Sequence, residues 1–112
     1  MRWNKKYEII WSPKAYRNIQ KIYAFTLEKL GNERYAIKIV KEILKAINSL
    51  RLFPFMYPKI YIDRKFKRQL RRATVGKYAV IYEVKNNKIL ILYIFHENQN
   101  YSNLLLNQEN LN

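Results

Sequence analysis

Three short runs of strand-forming residues constrain the fold of this chain most strongly. The runs span residues 70–75, 78–84 and 89–95. Gly76-Lys77 follows the first run and Asn86-Asn87 follows the second, and both pairs suit tight hairpin turns. Hairpins this short make neighbouring strands pair antiparallel. The sequence therefore predicts a three-stranded antiparallel meander in the C-terminal half.

The last of these runs is apolar on both sides. Strict alternation places Ile89, Ile91, Tyr93 and Phe95 on one side, and Leu90, Leu92, Ile94 and His96 on the other. A strand of this composition lies inside a sheet whose two faces are both covered. We expect helices on one face, and either residues 104–106 or a partner protein over part of the second face.

The N-terminal half predicts one strand and two helices. Residues 7–11 are aromatic and β-branched, and they end at Ser12 and Pro13, an N-cap and a first helical residue. Gly31 ends the first helix and Asn32 caps the second. Apolar residues recur at helical spacing at Ala15, Ile19, Ile22, Tyr23, Thr26 and Leu30, and again at Ala36, Val40, Ile43, Leu44, Ile47 and Leu50. The short joint predicts an antiparallel helical hairpin.

Together these elements predict an α/β (α+β) fold in one domain spanning residues 1–112. Its antiparallel sheet combines the N-terminal strand with the C-terminal meander, and the helical hairpin packs on one face. Residues 53–62 contain two prolines and three aromatic residues, which indicates a packed connector. The asparagine-rich residues 107–112 are expected to form a loose tail.

The charge balance restricts the partners. Twenty-two Lys and Arg against eight Asp and Glu give a formal net charge of +14, which attracts phosphate backbones, anionic membranes or acidic proteins. A generally lysine-rich composition is the alternative explanation. With no cysteine and one histidine, we expect no disulfide, no metal site and no cofactor. No apolar stretch is long enough for a signal peptide or a membrane span, which indicates a cytoplasmic protein.

The positive charge is concentrated between residues 59 and 77. Its cations are Lys59, Arg64, Lys65, Lys67, Arg68, Arg71, Arg72 and Lys77, against the single acid Asp63. The aromatic residues Tyr57, Tyr61, Phe66 and Tyr78 are interleaved with them and are suited to stacking on bases. We predict RNA binding by Lys65, Lys67, Arg68, Lys77 and Tyr78. A solvated loop and a site for an acidic protein are the alternatives.

Four residues are candidates for catalysis: Arg71, Arg72, His96 and Tyr101. Metal-independent RNA cleavage needs a base, an acid and a cation at the phosphate, and histidine is the side chain best suited to proton transfer near neutral pH. Arg71 and Arg72 are adjacent, so in a strand they point to opposite faces. Alternatively, His96 is a packing residue, and one arginine forms a salt bridge with Glu83 on a neighbouring strand.

Several segments, in this order along the chain, resemble a known family. They are YEIIWSPKA, LRLFP, LRRATVGKYAVIYEV and ILILYIFHENQNYSNLL, and they cover residues 7–105. Their order resembles the RelE/ParE superfamily of toxins from type II toxin-antitoxin modules. The resemblance implies a compact α/β toxin that a cognate antitoxin neutralises, and the basic surface suggests an acidic one.

The resemblance implies two alternative targets. RelE-like members enter the ribosome and cleave messenger RNA without a metal, using basic residues and often a C-terminal histidine or tyrosine, which Arg71, Arg72, His96 and Tyr101 match here. ParE-like members inhibit DNA gyrase and lack those catalytic residues. Many of the nucleases have arginine after the first tyrosine of the frame beginning at Tyr78, whereas this chain has Ala79. The charge of +14 favours the endoribonuclease; a gyrase inhibitor and a non-toxic RNA-binding module are the alternatives.

Overall fold

The computed structural model describes residues 6–63, 65 and 68–98, and within them the predicted elements form in the predicted order. The elements are β1 (Glu8–Trp11), α1 (Pro13–Leu30), α2 (Glu33–Ser49), β2 (Lys59–Asp63), β3 (Arg68–Val75), β4 (Tyr78–Lys85) and β5 (Lys88–His96). The α+β fold is therefore confirmed. The predicted tail at 107–112 and the apolar residues 104–106 lie outside the described residues.

The strands form one sheet in the order β1-β5-β4-β3-β2. β3, β4 and β5 pair antiparallel, which confirms the meander. β1 instead pairs parallel with β5, so the sheet is mixed rather than wholly antiparallel. No short turn joins β1 to β5, and the long connection between them permits parallel pairing. The connector also supplies a strand that we did not predict, because β2 follows its last proline and pairs antiparallel with β3.

Both helices begin and end where local chemistry requires. Ser12 Oγ accepts a hydrogen bond from the Ala15 amide, and Asn32 Oδ1 accepts one from the Tyr35 amide, so each helix has the predicted N-cap. Gly31 ends α1 with φ of 59°, a left-handed conformation that costs glycine little. A single residue, Asn32, then separates Gly31 from the first turn of α2, which produces the helical hairpin.

The sheet has a buried cluster on each face. The first face packs against the helices, and its buried residues are Ala15, Ile19, Ile43, Ile47, Leu50, Ala73, Val80, Tyr82, Ile89, Ile91 and Ile94. The second face is smaller, with Leu70, Ala79, Ile81, Tyr93 and Phe95. The prediction that both faces of the last strand are buried is therefore confirmed. Leu30 and Leu44, predicted for the helix stripes, are exposed instead.

Strict alternation along β5 was wrong. The register between β4 and β5 shifts at Ile81 and Tyr82, which pair with Tyr93 and Ile91, so Leu92 is the extra residue of a β-bulge. Ile89 and Ile91 face the helices, but beyond the bulge Ile94 does so while Tyr93 and Phe95 lie on the second face. One extra residue in a strand moves every later side chain of that strand to the opposite face of the sheet. It turns His96 toward the helices.

Candidate functional site

Arg71 and Arg72 lie on opposite faces of the sheet, as adjacent residues of β3 must. Leu70 belongs to the second buried cluster and Ala73 to the first, which fixes the alternation on either side of the pair. Arg71 therefore faces the helix side, and Arg72 faces away from it. The two guanidinium groups cannot both reach one ligand on either face.

Arg71 anchors the loop that follows α2. Its Nη1 donates a hydrogen bond to the Tyr57 carbonyl oxygen at 2.7 Å. The guanidinium carbon lies 5.0 Å from the centre of the Phe55 ring, a cation–π distance. Arg71 is thus half-buried and engaged with backbone and ring, which is a structural role.

Arg72 lies over an aromatic ring of the second face. Its guanidinium carbon is 5.6 Å from the centre of the buried Phe95 ring. Lys14, from the first turn of α1, has its Nζ 5.8 Å from the centre of the Tyr93 ring on the same face. Two cations therefore pack against the two aromatic side chains of this face.

His96 ends β5 on the helix side. It pairs across the strands with Tyr78, and the two rings meet edge to face with centres 5.3 Å apart. Its Nδ1 accepts a hydrogen bond from the Asn98 amide at 3.2 Å. The imidazole is half-buried between Tyr78 and this turn, as a packing residue is.

The described candidates for catalysis do not converge. Arg71 pairs across the strands with Tyr82, whereas His96 is in line with Tyr78 and with Val75 of β3. Arg71 and Val75 are four residues apart along β3. Four residues of strand span about 13 Å. Arg72 lies on the face opposite His96. Tyr101 lies outside the described residues, and the catalytic roles of all four residues stay predictions.

The predicted RNA-binding residues are spread along β3 and its two ends. Arg68 Nη2 lies 3.4 Å from Glu83 Oε1, so the two side chains form an ion pair between β3 and β4. Lys65 and Lys77 are exposed, whereas Tyr78 is half-buried. Arg64, Phe66 and Lys67 lie outside the described residues. RNA binding by this set stays a prediction.

Tyr82 is an anchor whose role we did not predict. It is fully buried, and its hydroxyl donates a hydrogen bond to the Pro54 carbonyl oxygen at 2.9 Å. Burial raises the pKa of its phenol above the ordinary value, and the nearby positive charge of Arg71 opposes that rise. The alternation of β4 placed this side chain in the core, but the distant carbonyl partner had no signal in the sequence.

A groove runs beside His96 at the end of the sheet. About 380 Å³ in volume, it lies between the C-terminal turn of α1, the N-terminal half of α2 and the turn at Gly76. Phe25, Leu30 and Tyr35 contribute its apolar walls, and its charged lining consists of Lys29, Lys77 and Glu42. A second groove shares Phe25, Tyr78 and His96 with it and continues along α1. Together they suit an apolar segment with acidic flanks.

Within the described ranges, no three His, Asp or Glu side chains lie close enough to hold a metal ion. In the same ranges, neither helix is long and apolar enough to span a membrane.

Residues 9–101 match the family model of the ParE toxin of the type II toxin-antitoxin system parDE. The chain belongs to the ParE toxin family. The match covers most of the sequence, from β1 past the end of β5, so the expected RelE/ParE membership and the role of a type II toxin are both confirmed. No curated protein matches the toxin.

Solved structures of toxin-antitoxin systems share the fold of the toxin. The chromosomal ParDE system of P. aeruginosa aligns with a TM-score of 0.66 at 20% identity, covering 80% of this chain and 95% of that chain. The RelBE2 toxin-antitoxin complex of Mycobacterium tuberculosis aligns with a TM-score of 0.51 at 18% identity, covering 81% and 98%. At these identities, the two similarities show that the chain shares the fold of these structures.

Proposed function

We propose that the toxin arrests growth by binding and inhibiting DNA gyrase, and that it does not cleave messenger RNA. The observation that carries this proposal is the separation of Arg71, Arg72 and His96 within the sheet. The sequence alone favours the nuclease, and the geometry of these side chains reverses that preference.

Metal-independent RNA cleavage requires its groups around one phosphate. A general base or acid acts within hydrogen-bonding distance of the proton that it moves, and the cation must meet the charge that develops on the phosphate oxygens. Arg71 lies about 13 Å along the strand from the row of His96, and Arg72 lies on the other face. This separation argues against a single phosphate that contacts His96 together with either arginine.

The position after Tyr78 supports the same conclusion. The nucleases that this chain resembles often have arginine there, and this toxin has Ala79. The methyl group of Ala79 is fully buried in the second cluster, beside Phe95. An arginine at this position would have to leave the core, so the present packing is incompatible with that catalytic side chain.

Ribosome-dependent cleavage of messenger RNA is the second candidate, and one observation favours it. The net charge of +14 suits a protein that binds among RNA phosphates, and Lys59 and Lys77 are exposed to solvent. In either case we propose a cytoplasmic toxin with an acidic cognate antitoxin. Acidic segments would neutralise the basic surface and fill the groove beside His96.

Two assays on the same purified toxin test the proposal. We expect inhibition of gyrase supercoiling that the antitoxin reverses, and no new 5′ ends when ribosomes and a messenger RNA are incubated with the toxin and mapped by primer extension. Cleaved messages together with unimpaired supercoiling would overturn the proposal in favour of the nuclease. The toxin–antitoxin complex is the matched inactive control in both assays.

A further inference from the structure

The loop between α2 and β2 presents large apolar side chains to solvent. Residues 52–56, here called the apolar loop, include Leu52, Phe53, Phe55 and Met56, each between 53% and 58% exposed. Four large apolar side chains are thus exposed within five residues. Soluble domains rarely expose a patch of this kind unless it contacts a partner.

The apolar loop is held firmly in this exposed position. The buried Tyr82 donates a hydrogen bond to the Pro54 carbonyl oxygen, and Arg71 donates one to the Tyr57 carbonyl oxygen. The Tyr7 ring meets the Phe55 ring edge to face, with centres 6.4 Å apart. Anchors from β3, from β4 and from Tyr7, which precedes β1, therefore fix the loop before any partner arrives, which lowers the entropic cost of binding.

The charges beside the apolar loop indicate the chemistry of its partner. Arg51 and Lys59 flank the loop, and no acidic residue lies between them. A complementary surface would have an apolar cleft with carboxylates around its rim. Arg71, which contacts the loop through Phe55, lies four residues along β3 from Val75, the residue of β3 in line with Tyr78 and His96. The loop is therefore separate from the groove beside His96.

We infer that the apolar loop is the surface with which the toxin docks into an apolar, acid-rimmed cleft of its target protein. The inference rests on the proposed function, because it takes that target to be DNA gyrase. Phe53 and Met56 would supply most of the contact, since large apolar side chains at the centre of an interface carry a disproportionate share of its affinity. Arg51 and Lys59 would meet the acidic rim.

The test compares two double variants of the full-length toxin, each purified from its antitoxin complex. Phe53→Ala with Met56→Ala removes the centre of the loop. Tyr16→Ala with Leu44→Ala removes two exposed apolar side chains of the helices, 57% and 42% exposed, that do not line the groove beside His96, and serves as the matched control. Three quantities are measured for each: inhibition of supercoiling by purified gyrase, affinity for the antitoxin, and melting temperature.

The loop variant should need at least about tenfold more toxin for half-maximal inhibition, a loss of about 1.4 kcal/mol. Its antitoxin affinity should stay within about twofold of wild type, and the control variant, Tyr16→Ala with Leu44→Ala, should match wild type throughout. Equal inhibition by the loop variant and wild type would overturn the inference, as would lost antitoxin affinity with full inhibition. Wild-type toxin that leaves gyrase unimpaired would instead overturn the proposed function. If the double variant unfolds, Leu52→Ala and Met56→Ala separately provide the same comparison.

Discussion

The two faces of the sheet differ in the number and the contacts of their charged side chains. On the helix side, Arg71 donates a hydrogen bond to the loop after α2, and the remaining contacts are largely apolar. On the second face, Arg72 and Lys14 lie over aromatic rings, and Arg68 pairs with Glu83. The first face is thus a core that also anchors a loop, whereas the second combines a small core with a cluster of cations.

This difference shows why a cluster in the sequence need not be a site in the fold. Arg71 and Arg72 are adjacent, yet the period of the strand sends them into separate environments. The bulge at Leu92 then turns His96 toward the helices and away from Arg72. Four predictions test this division of the sheet, beginning with the largest expected effect.

Removing a buried side chain should cost more on the helix side than on the second face. Ile91 and Ile81 are both fully buried, one on each face. We expect Ile91→Ala to lower the free energy of unfolding by about 3–5 kcal/mol and Ile81→Ala by about 2–3 kcal/mol, because the larger cluster leaves more neighbours around the cavity. Urea denaturation measures both; a larger loss for Ile81→Ala would contradict the ranking of the two cores.

Arg71 should matter to stability, whereas an exposed cation of the same basic region should not. Arg71→Ala removes the hydrogen bond to the Tyr57 carbonyl and the contact with Phe55, so we expect a loss of about 1.5–3 kcal/mol. The exposed Lys77 is the control, and Lys77→Ala should stay within about 0.5 kcal/mol of wild type. Equal melting temperatures for wild type and Arg71→Ala would show that the loop is not anchored by this arginine.

Loss of the Tyr82 hydroxyl should have a smaller effect that depends on pH. Tyr82→Phe leaves the Pro54 carbonyl without its donor and should cost about 1 kcal/mol at pH 7. Burial raises the pKa of Tyr82 in the folded state, so the unfolded chain loses this proton first, and the stabilisation declines as pH rises above about 10. The gap between the wild-type and Tyr82→Phe melting temperatures should therefore narrow above pH 10. A gap that widens there would contradict the burial of this phenol.

The smallest effect is expected at His96. Its edge-to-face contact with Tyr78 predicts that His96→Ala lowers stability by about 0.5–1.5 kcal/mol. Gyrase inhibition by the folded variant should stay within about twofold of wild type. A nuclease that used His96 as acid or base would instead lose about a hundredfold or more in cleavage with little change in stability. Melting curves and primer extension on the same preparation distinguish these outcomes.

Local signals predicted much of the fold. Ser12, Pro13, Gly31 and Asn32 act through contacts within a few residues, so the helix boundaries could be read from the sequence. The turns of the meander were predictable for the same reason. The parallel pairing of β1 with β5 joins residues about 80 positions apart, and no local pattern specifies it.

The arrangement of the candidate site was less predictable. Alternation alone predicted that Arg71 and Arg72 point apart, but the Leu92 bulge has no marker such as glycine, and without it His96 was assigned to the wrong side. Glu83 pairs across the strands with Leu70, so the ion pair between Glu83 and Arg68 depends on the register of β3 against β4. Residue types indicated the chemistry, whereas register decided which groups meet.

Growth arrest by a double variant tests most directly whether the toxin acts by binding rather than by cleavage. Arg72→Ala combined with His96→Ala removes two of the candidate groups while leaving the apolar loop intact. Induced in cells beside wild type, the double variant should arrest growth equally, relax a reporter plasmid on chloroquine gels and leave messages uncut in primer extension. A different result would contradict a binding mechanism: the wild type cleaves messenger RNA, and the double variant loses both cleavage and growth arrest.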